Sequence, residues 1–320
     1  MLYLIIALSS FSFSLLLTIF AIKLFSKYHI LDVPNARSNH KSATLRGGGI
    51  AIVITLLVAM FIHQKILLKE IGILYLFISL SIIAAISFID DLKSTSIIIR
   101  VIFQVMAISI LLISYFSNLN IYITSALILG LFIFINFYNF MDGIDGSAAA
   151  EAIHISSSII ILSFLTTIPY EVMIIALITA SASLGFIIYN WHPAKIFLGD
   201  VGSISLGFVC GWMLLAIAFH GQLAAAIILP LFYISDSGIT IIKRLFAGKK
   251  IWKAHSEHFY QQAVRKGIPH NIITKKIIYC NSSLCILGIT SAFYPIPAVI
   301  LAVIVTVATL YNLQKSGKVH

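Results

Sequence analysis

Five short motifs in this chain carry residue types that could do chemistry. Asp90-Asp91 ends an apolar run, in Phe88-Ile89-Asp90-Asp91-Leu92-Lys93. Adjacent carboxylates repel each other, and a helix C-terminus disfavours anions, so a pair at this point calls for a shared cation or proton. Asn136 and Asn139 lie three apart and share a helix face. They lead into Asp142-Gly143-Ile144-Asp145-Gly146, where two Asp alternate with two Gly. The glycines free the backbone for a tight turn and the carboxylates suit a hard cation. A plain Asx turn would give the same string, whereas an EF-hand loop is excluded because its other ligands are missing. Gly199-Asp200-Val201-Gly202-Ser203 precedes another apolar run. At a helix start it would offer one carboxylate and free N–H groups to phosphate or Mg²⁺-phosphate, or else Asp200 or Ser203 would cap the helix. Arg46-Gly47-Gly48-Gly49 suits close approach of backbone to an anion, and equally well helix packing. Last, Lys249-Lys250-Ile251-Trp252-Lys253-Ala254-His255-Ser256-Glu257-His258 puts two imidazoles on one face if the segment is helical. With the nearby Lys and Arg these would bind phosphates or a sugar diphosphate. A zinc site lacks an obvious third ligand, and the Lys run also fits a lipid headgroup patch.

The elements that must position these motifs are apolar. Sixty per cent of the 320 residues are hydrophobic and only ten per cent are charged, against about a quarter charged in a soluble domain. A bilayer must therefore take the place of a soluble core. Segments 2–25, 48–62, 71–89, 97–116, 121–140, 149–168, 170–189, 203–219, 222–245, 276–293 and 296–313 are predicted to span it. The fold class is thus an all-α polytopic membrane protein of about eleven helices, in a single domain over 1–320. The first segment is too long and uniform for a signal peptide and reads as a retained span. Cys210, Cys280 and Cys285 fall in apolar segments with no metal or disulfide spacing. Nothing points to nucleic acid.

Charge orients the chain. Nineteen of the 21 Lys and Arg fall in one set of loops, leaving only Lys65 and Lys69 on the other side. The positive-inside rule makes that first set cytoplasmic, with the N-terminus outside and the C-terminus inside. Of the eleven carboxylates, only Glu70 and Glu171 fall on the outer side. The rule is silent on Asp and Glu, so their clustering needs a chemical reason. Loops 26–46, 90–96, 141–148, 190–202 and 246–275 are expected to form one cytoplasmic site. Asp236 is the exception, lying within the ninth predicted span.

These motifs, in this order and on one side, resemble the polyprenyl-phosphate N-acetylhexosamine-1-phosphate transferases of glycosyltransferase family 4. That family includes WecA-like and TagO-like enzymes and the phospho-MurNAc-pentapeptide translocase. The resemblance runs from Asp32-Val33-Pro34-Asn35-Ala36-Arg37-Ser38-Asn39-His40 to the His segment. It implies transfer of HexNAc-1-phosphate from a UDP-HexNAc to undecaprenyl phosphate, with release of UMP, at a bacterial inner membrane. It implies Mg²⁺, with Mn²⁺ as the alternative ion, and leaves a homo-oligomer open. By the same resemblance Asp90, Asp91, Asp142 and Asp145 are catalytic, and Asp200 and Asp91 hold metal. Lys41, Arg46, Asn136, Asn139, His255 and His258 bind substrate. The translocase branch carries three consecutive His, whereas Ser256-Glu257 separates two here. That favours the WbpL-like, O-antigen-initiating branch over a muramyl-pentapeptide donor. Leu45 stands where the family usually has Pro. The rival class is a transporter, which would place its ionisable groups near the midplane on broken helices.

Overall fold

The computed structural model describes residues 1–34, 42–66, 71–116, 119–251 and 255–315. Thirteen helices follow one another among them: α1 (Leu2–Lys27), α2 (Ile50–Ile66), α3 (Ile71–Leu92), α4 (Ile97–Tyr115), α5 (Ile121–Phe140), α6 (Ser147–Leu165), α7 (Tyr170–Asn190), α8 (Gly199–Phe219), α9 (Leu223–Ile228), α10 (Leu231–Phe246), α11 (Phe259–Arg265), α12 (His270–Thr290) and α13 (Pro295–Lys315). Nine of the described helices are long and apolar enough to cross a membrane, and α2, at 17 residues, is shorter. Two two-residue strands, β1 (Leu31–Asp32) and β2 (Thr44–Leu45), pair antiparallel. The fold is an all-α polytopic membrane protein, as the composition requires.

Three helix boundaries depart from expectation for identifiable reasons. The ninth apolar run is not one helix. It breaks between α9 and α10 at Leu229-Pro230, because Pro230 has no N–H to give and its ring crowds the preceding turn. Gly47, Gly48 and Gly49 precede α2 instead of opening a span. Gly199-Asp200-Val201-Gly202-Ser203 forms the first turn of α8 instead of a loop before it.

Lipid offers no hydrophobic drive for helix association, so small residues and buried hydrogen bonds must hold the bundle. Helix α1 buries Ser10, Ser14, Thr18 and Ala21 on one stripe. Ser14 donates to the Ala182 carbonyl of α7 at 2.7 Å, and a Cβ on Gly185 would meet the Phe11 carbonyl at 2.6 Å. Gly207 and Gly211 of α8 serve packing, lying against Ile135, Tyr138, Leu131 and Phe134 of α5. Glu151 of α6 is fully buried and accepts from Asn281 of α12 at 2.5 Å, so this carboxylate joins two helices. Helix α8 is buried along most of its length and forms the centre around which the site-bearing ends gather.

The glycine triplet is a backbone joint. Gly48 N–H and Gly49 N–H donate to the carbonyls of Phe197 and Leu198 at 2.9 and 2.8 Å. Leu45 bridges Ile196 and its carbonyl accepts from Phe197 N–H at 2.7 Å. These amides are therefore spent on the 196–198 segment and not on an anion. A Cβ on Gly49 would sit 2.2 Å from Gly202 Cα, a backbone atom that cannot swing aside. Gly49→Ala is expected to cost about 3 kcal/mol or more, read as a large drop in melting temperature in detergent. Gly130→Ala, with nothing within 4 Å of the added methyl, should melt like the wild type.

Candidate active site

The motifs meet at one end of the bundle. Arg46 precedes α2, and Asp90 and Asp91 lie in the last turn of α3. Asp142 and Asp145 follow α5, and Asp200 begins α8. Each carboxylate has a different job.

Asp91 is clamped. Its Oδ1 and Oδ2 accept from the backbone N–H groups of Asp200 and Val201, both at 2.9 Å, and Arg46 Nε reaches Oδ1 at 2.8 Å. Its side chain is 1% exposed. The N-terminus of α8, for which the sequence left phosphate binding and capping by Asp200 or Ser203 both open, is therefore occupied by Asp91 from another helix, as the helix dipole favours. Gly199, at φ +74°, is required here, because a Cβ would lie 2.6 Å from Asp91 Oδ2. Asp90 turns the other way. Its Oδ1 accepts from both the N–H and the hydroxyl of Thr95 at 2.7 Å, and its Oδ2 pairs with Arg100 at 2.9 Å.

Asp200 is held more loosely, at 3.2 Å from Arg46 and 3.5 Å from Arg100, with its side chain 16% exposed. Asp142 sits beside it. Burial, reinforced by the charges of Asp200 and Asp91, pushes the Asp142 carboxyl well above the usual range. Burial works against the Arg46 guanidinium, but Asp200 and Asp91 outweigh it and hold its pKa above the ordinary value. Four carboxylates (Asp90, Asp91, Asp142, Asp200) thus stand against two guanidinium groups (Arg46, Arg100).

Asp145 belongs to a separate cluster. His192 Nδ1 lies 2.6 Å from its Oδ2 and His270 Nδ1 lies 3.7 Å from its Oδ1. Ala194 N–H donates to Oδ2 at 3.3 Å. Burial opposes the charge, but the neighbouring imidazoles of His270 and His192 outweigh it and hold the carboxyl below the usual range. Among the described residues this is the one Asp/His group whose ligand atoms converge, all within 4.8 Å of one another. Neither histidine stands out in the sequence. Their signals are slight: each adjoins a proline, in His192-Pro193 and Pro269-His270.

The Asn pair divides. Asn139 accepts from Ser203 Oγ at 2.6 Å and ties α5 to α8 beside Asp200. Asn136 donates to Gln104 of α4 at 3.2 Å and to the Phe132 carbonyl at 2.8 Å. It braces two helices and does not reach the carboxylates. Lys41 lies outside the described residues.

His255 and His258 do not share a helical face, because α11 starts only at Phe259. Their rings nevertheless stack at 5.0 Å, with Phe140 5.7 Å from His258, so the His segment lies against the end of α5. Burial, with the charges of His258 and Arg244, lowers the His255 pKa to about 4, leaving a neutral imidazole near pH 7. Glu257 gathers the local cations, with Arg244 at 2.5 Å and Lys249 at 3.0 Å. The described parts of the loops thus make two linked sets, one around Asp91 and Asp200 and one around Asp145 and the His segment.

Similarity to known proteins falls on the same part of the chain. A family model described as glycosyl transferase family 4 matches residues 73–218, the stretch from α3 to α8 that carries every carboxylate of the site. A probable undecaprenyl-phosphate N-acetylglucosaminyl 1-phosphate transferase of Bacillus subtilis is 29% identical over 43% of this chain and 39% of that protein. A phospho-N-acetylmuramoyl-pentapeptide-transferase of a Wolbachia species is 30% identical over 45% of each. The chain thus spans less than half the length of these two relatives. A decaprenyl-phosphate N-acetylglucosaminephosphotransferase of Mycobacterium tuberculosis is 25% identical over 91% of this chain and 84% of that protein. With its motif residues gathered at one end of a helical membrane bundle, the chain is similar to glycosyl transferase family 4 over residues 73–218.

Proposed function

We propose that this protein transfers an N-acetylhexosamine-1-phosphate from a UDP-HexNAc to undecaprenyl phosphate, releasing UMP at the cytoplasmic face of a bacterial inner membrane. The observation that carries the reading is the Asp90, Asp91, Asp142 and Asp200 cluster with Arg46 and Arg100 at one end of the bundle. Such a site suits phosphoryl transfer, where catalysis is mostly positioning and neutralisation of spread negative charge. Mg²⁺ bound by Asp200 and Asp142 would withdraw charge from a pyrophosphate and ease departure of the leaving group. Arg46 and Arg100 supply fixed positive charge beside it, and Asn139 keeps α5 and α8 in register.

In the reaction a phosphate oxygen of the acceptor lipid attacks the β-phosphorus of the donor. The bond from that phosphorus to the bridging oxygen breaks, and UMP departs with the bridging oxygen and the electron pair. The oxygens of Asp90 and Asp91 all accept hydrogen bonds already, which supports direct attack by the lipid over an Asp nucleophile. Incubation with UDP-sugar and labelled UMP, without lipid, is expected to give no exchange of label; exchange would establish a two-step route.

The functional test is release of UMP from a panel of UDP-HexNAc donors when undecaprenyl phosphate is added. Release should require Mg²⁺ or Mn²⁺ and stop on chelation with EDTA. The panel also identifies the sugar, since GlcNAc, GalNAc, QuiNAc and FucNAc differ in one hydroxyl or its stereochemistry. No release with any donor, together with substrate uptake into vesicles, would favour the transporter. The carboxylates at helix ends, away from the midplane, speak against that rival.

A further inference from the structure

Asp236 is a carboxylate that the site described above leaves unused although its partners border it. It lies in α10, on the far side of the Pro230 break, and is fully buried. A carboxylate is costly in a membrane helix unless it has a function and partners. Its partners are three donors from the His segment: His258 Nδ1 at 3.1 Å, Phe259 N–H at 3.1 Å and Tyr260 N–H at 3.3 Å. Two of these are free amides at the start of α11, so Asp236 caps that helix from a different element. The third partner is a ring nitrogen. A carboxylate with two amide donors on it acts as an acceptor, so Nδ1 is the ring nitrogen of His258 that must carry a proton to complete this contact.

The same segment holds the Asp142 turn. Tyr260 Oη donates to the Phe140 carbonyl at 2.7 Å, two residues before Asp142. A Cβ on Gly143 would lie 2.2 Å from Tyr260 Oη. His255 stacks on His258, and Phe140 borders both rings. One buried carboxylate therefore fixes the imidazole pair and, through Tyr260, the height of the Asp142 turn. We infer that Asp236 is a positioning residue for the transfer reaction: it sets the tautomer and orientation of His258 and seats the His segment on the Asp142 turn. This inference rests on the transferase reading for its kinetic arm only.

Asp236→Asn keeps the size and one acceptor oxygen but turns an amide N–H₂ toward one of the three donors. In ¹⁵N-histidine-labelled protein, wild-type His258 should show the Nδ1–H tautomer, and Asp236→Asn should lose it. An Nε2–H signal in the wild type would overturn the assignment whether or not the protein releases UMP. In the kinetic arm, Asp236→Asn should lower kcat by about 100-fold with little change in KM for the donor, and displace the acid limb of the pH profile. His258→Gln should cost a similar factor and the double variant no more than either alone, because the two residues act as a unit. Additive losses, or a loss that merely follows the folded fraction while the pH profile stays put, would reduce Asp236 to a helix cap. A wild type with no UMP release would sink the transferase reading and leave the tautomer measurement to decide this one.

Discussion

Asp200→Asn is expected to abolish UMP release, by about 10³-fold or more, on the order of 4 kcal/mol of lost transition-state stabilisation. The melting temperature should hold steady or rise. The two halves of this expectation come from the same geometry. Asp200 meets the partly exposed Arg46 and Arg100 guanidinium groups at 3.2 and 3.5 Å and shares a side-chain hydrogen bond with Asp90; loose ion pairs of that kind are worth about 0–1 kcal/mol. Against that small loss stands the relief of repulsion, because Asp200 crowds Asp91, Asp90 and Asp142. A residue that destabilises its surroundings and is retained for function shows this opposition of stability and activity. The backbone N–H of residue 200, which holds Asp91, survives the substitution, so the α8 joint stays intact. Full UMP release by Asp200→Asn at saturating Mg²⁺ would remove Asp200 from the metal site. Loss of activity with a melting temperature lowered by many degrees would make it a structural residue instead.

What the sequence revealed follows from what is local in it. Helix content, the apolar spans and the gathering of Asp90-Asp91, Asp142, Asp145 and Asp200 at one end all follow from runs of about 20 residues and their polar punctuation. The division of labour among those carboxylates depends on partners far away in the chain. Asp91 meets Asp200 and Val201, 109 and 110 positions on, and no local pattern announces that a helix N-terminus will be filled from another helix. For the same reason Gly47-Gly48-Gly49 can read as an anion cradle until Gly202, Phe197 and Leu198 are seen to occupy it. Asn136 and Asn139 share a helix face, yet one turn of rise separates a contact with α4 from a contact with α8. His192 and His270 come to Asp145 across 47 and 125 positions, and Arg100 comes to Asp90 across ten. Pro230 is legible, but a proline in an apolar run either kinks a span or divides it, and only the packing shows which.

Asp91→Ala should be the most damaging single substitution at the site, and for the opposite reason to Asp200→Asn. It strands two amides at the start of α8 and the Nε of Arg46. Removing one partner of a buried ion pair costs about 3–5 kcal/mol, and unpaired buried amides add to that. A marginally stable membrane protein should then fail to accumulate or melt far below the wild type. Asp91→Asn separates the structural from the metal-binding role. Its one oxygen still accepts an amide, but its N–H₂ must face either Val201 N–H or the Arg46 guanidinium, so part of the stability returns. If Asp91 is the post that aims Asp200, residual UMP release in Asp91→Asn should rise with Mg²⁺ along the wild-type curve, at a lower plateau. A half-saturating Mg²⁺ concentration raised about tenfold or more, which is about 1.4 kcal/mol of lost binding, would instead make Asp91 a direct ligand. It would also mean that one of the three hydrogen bonds seen here opens when the ion enters.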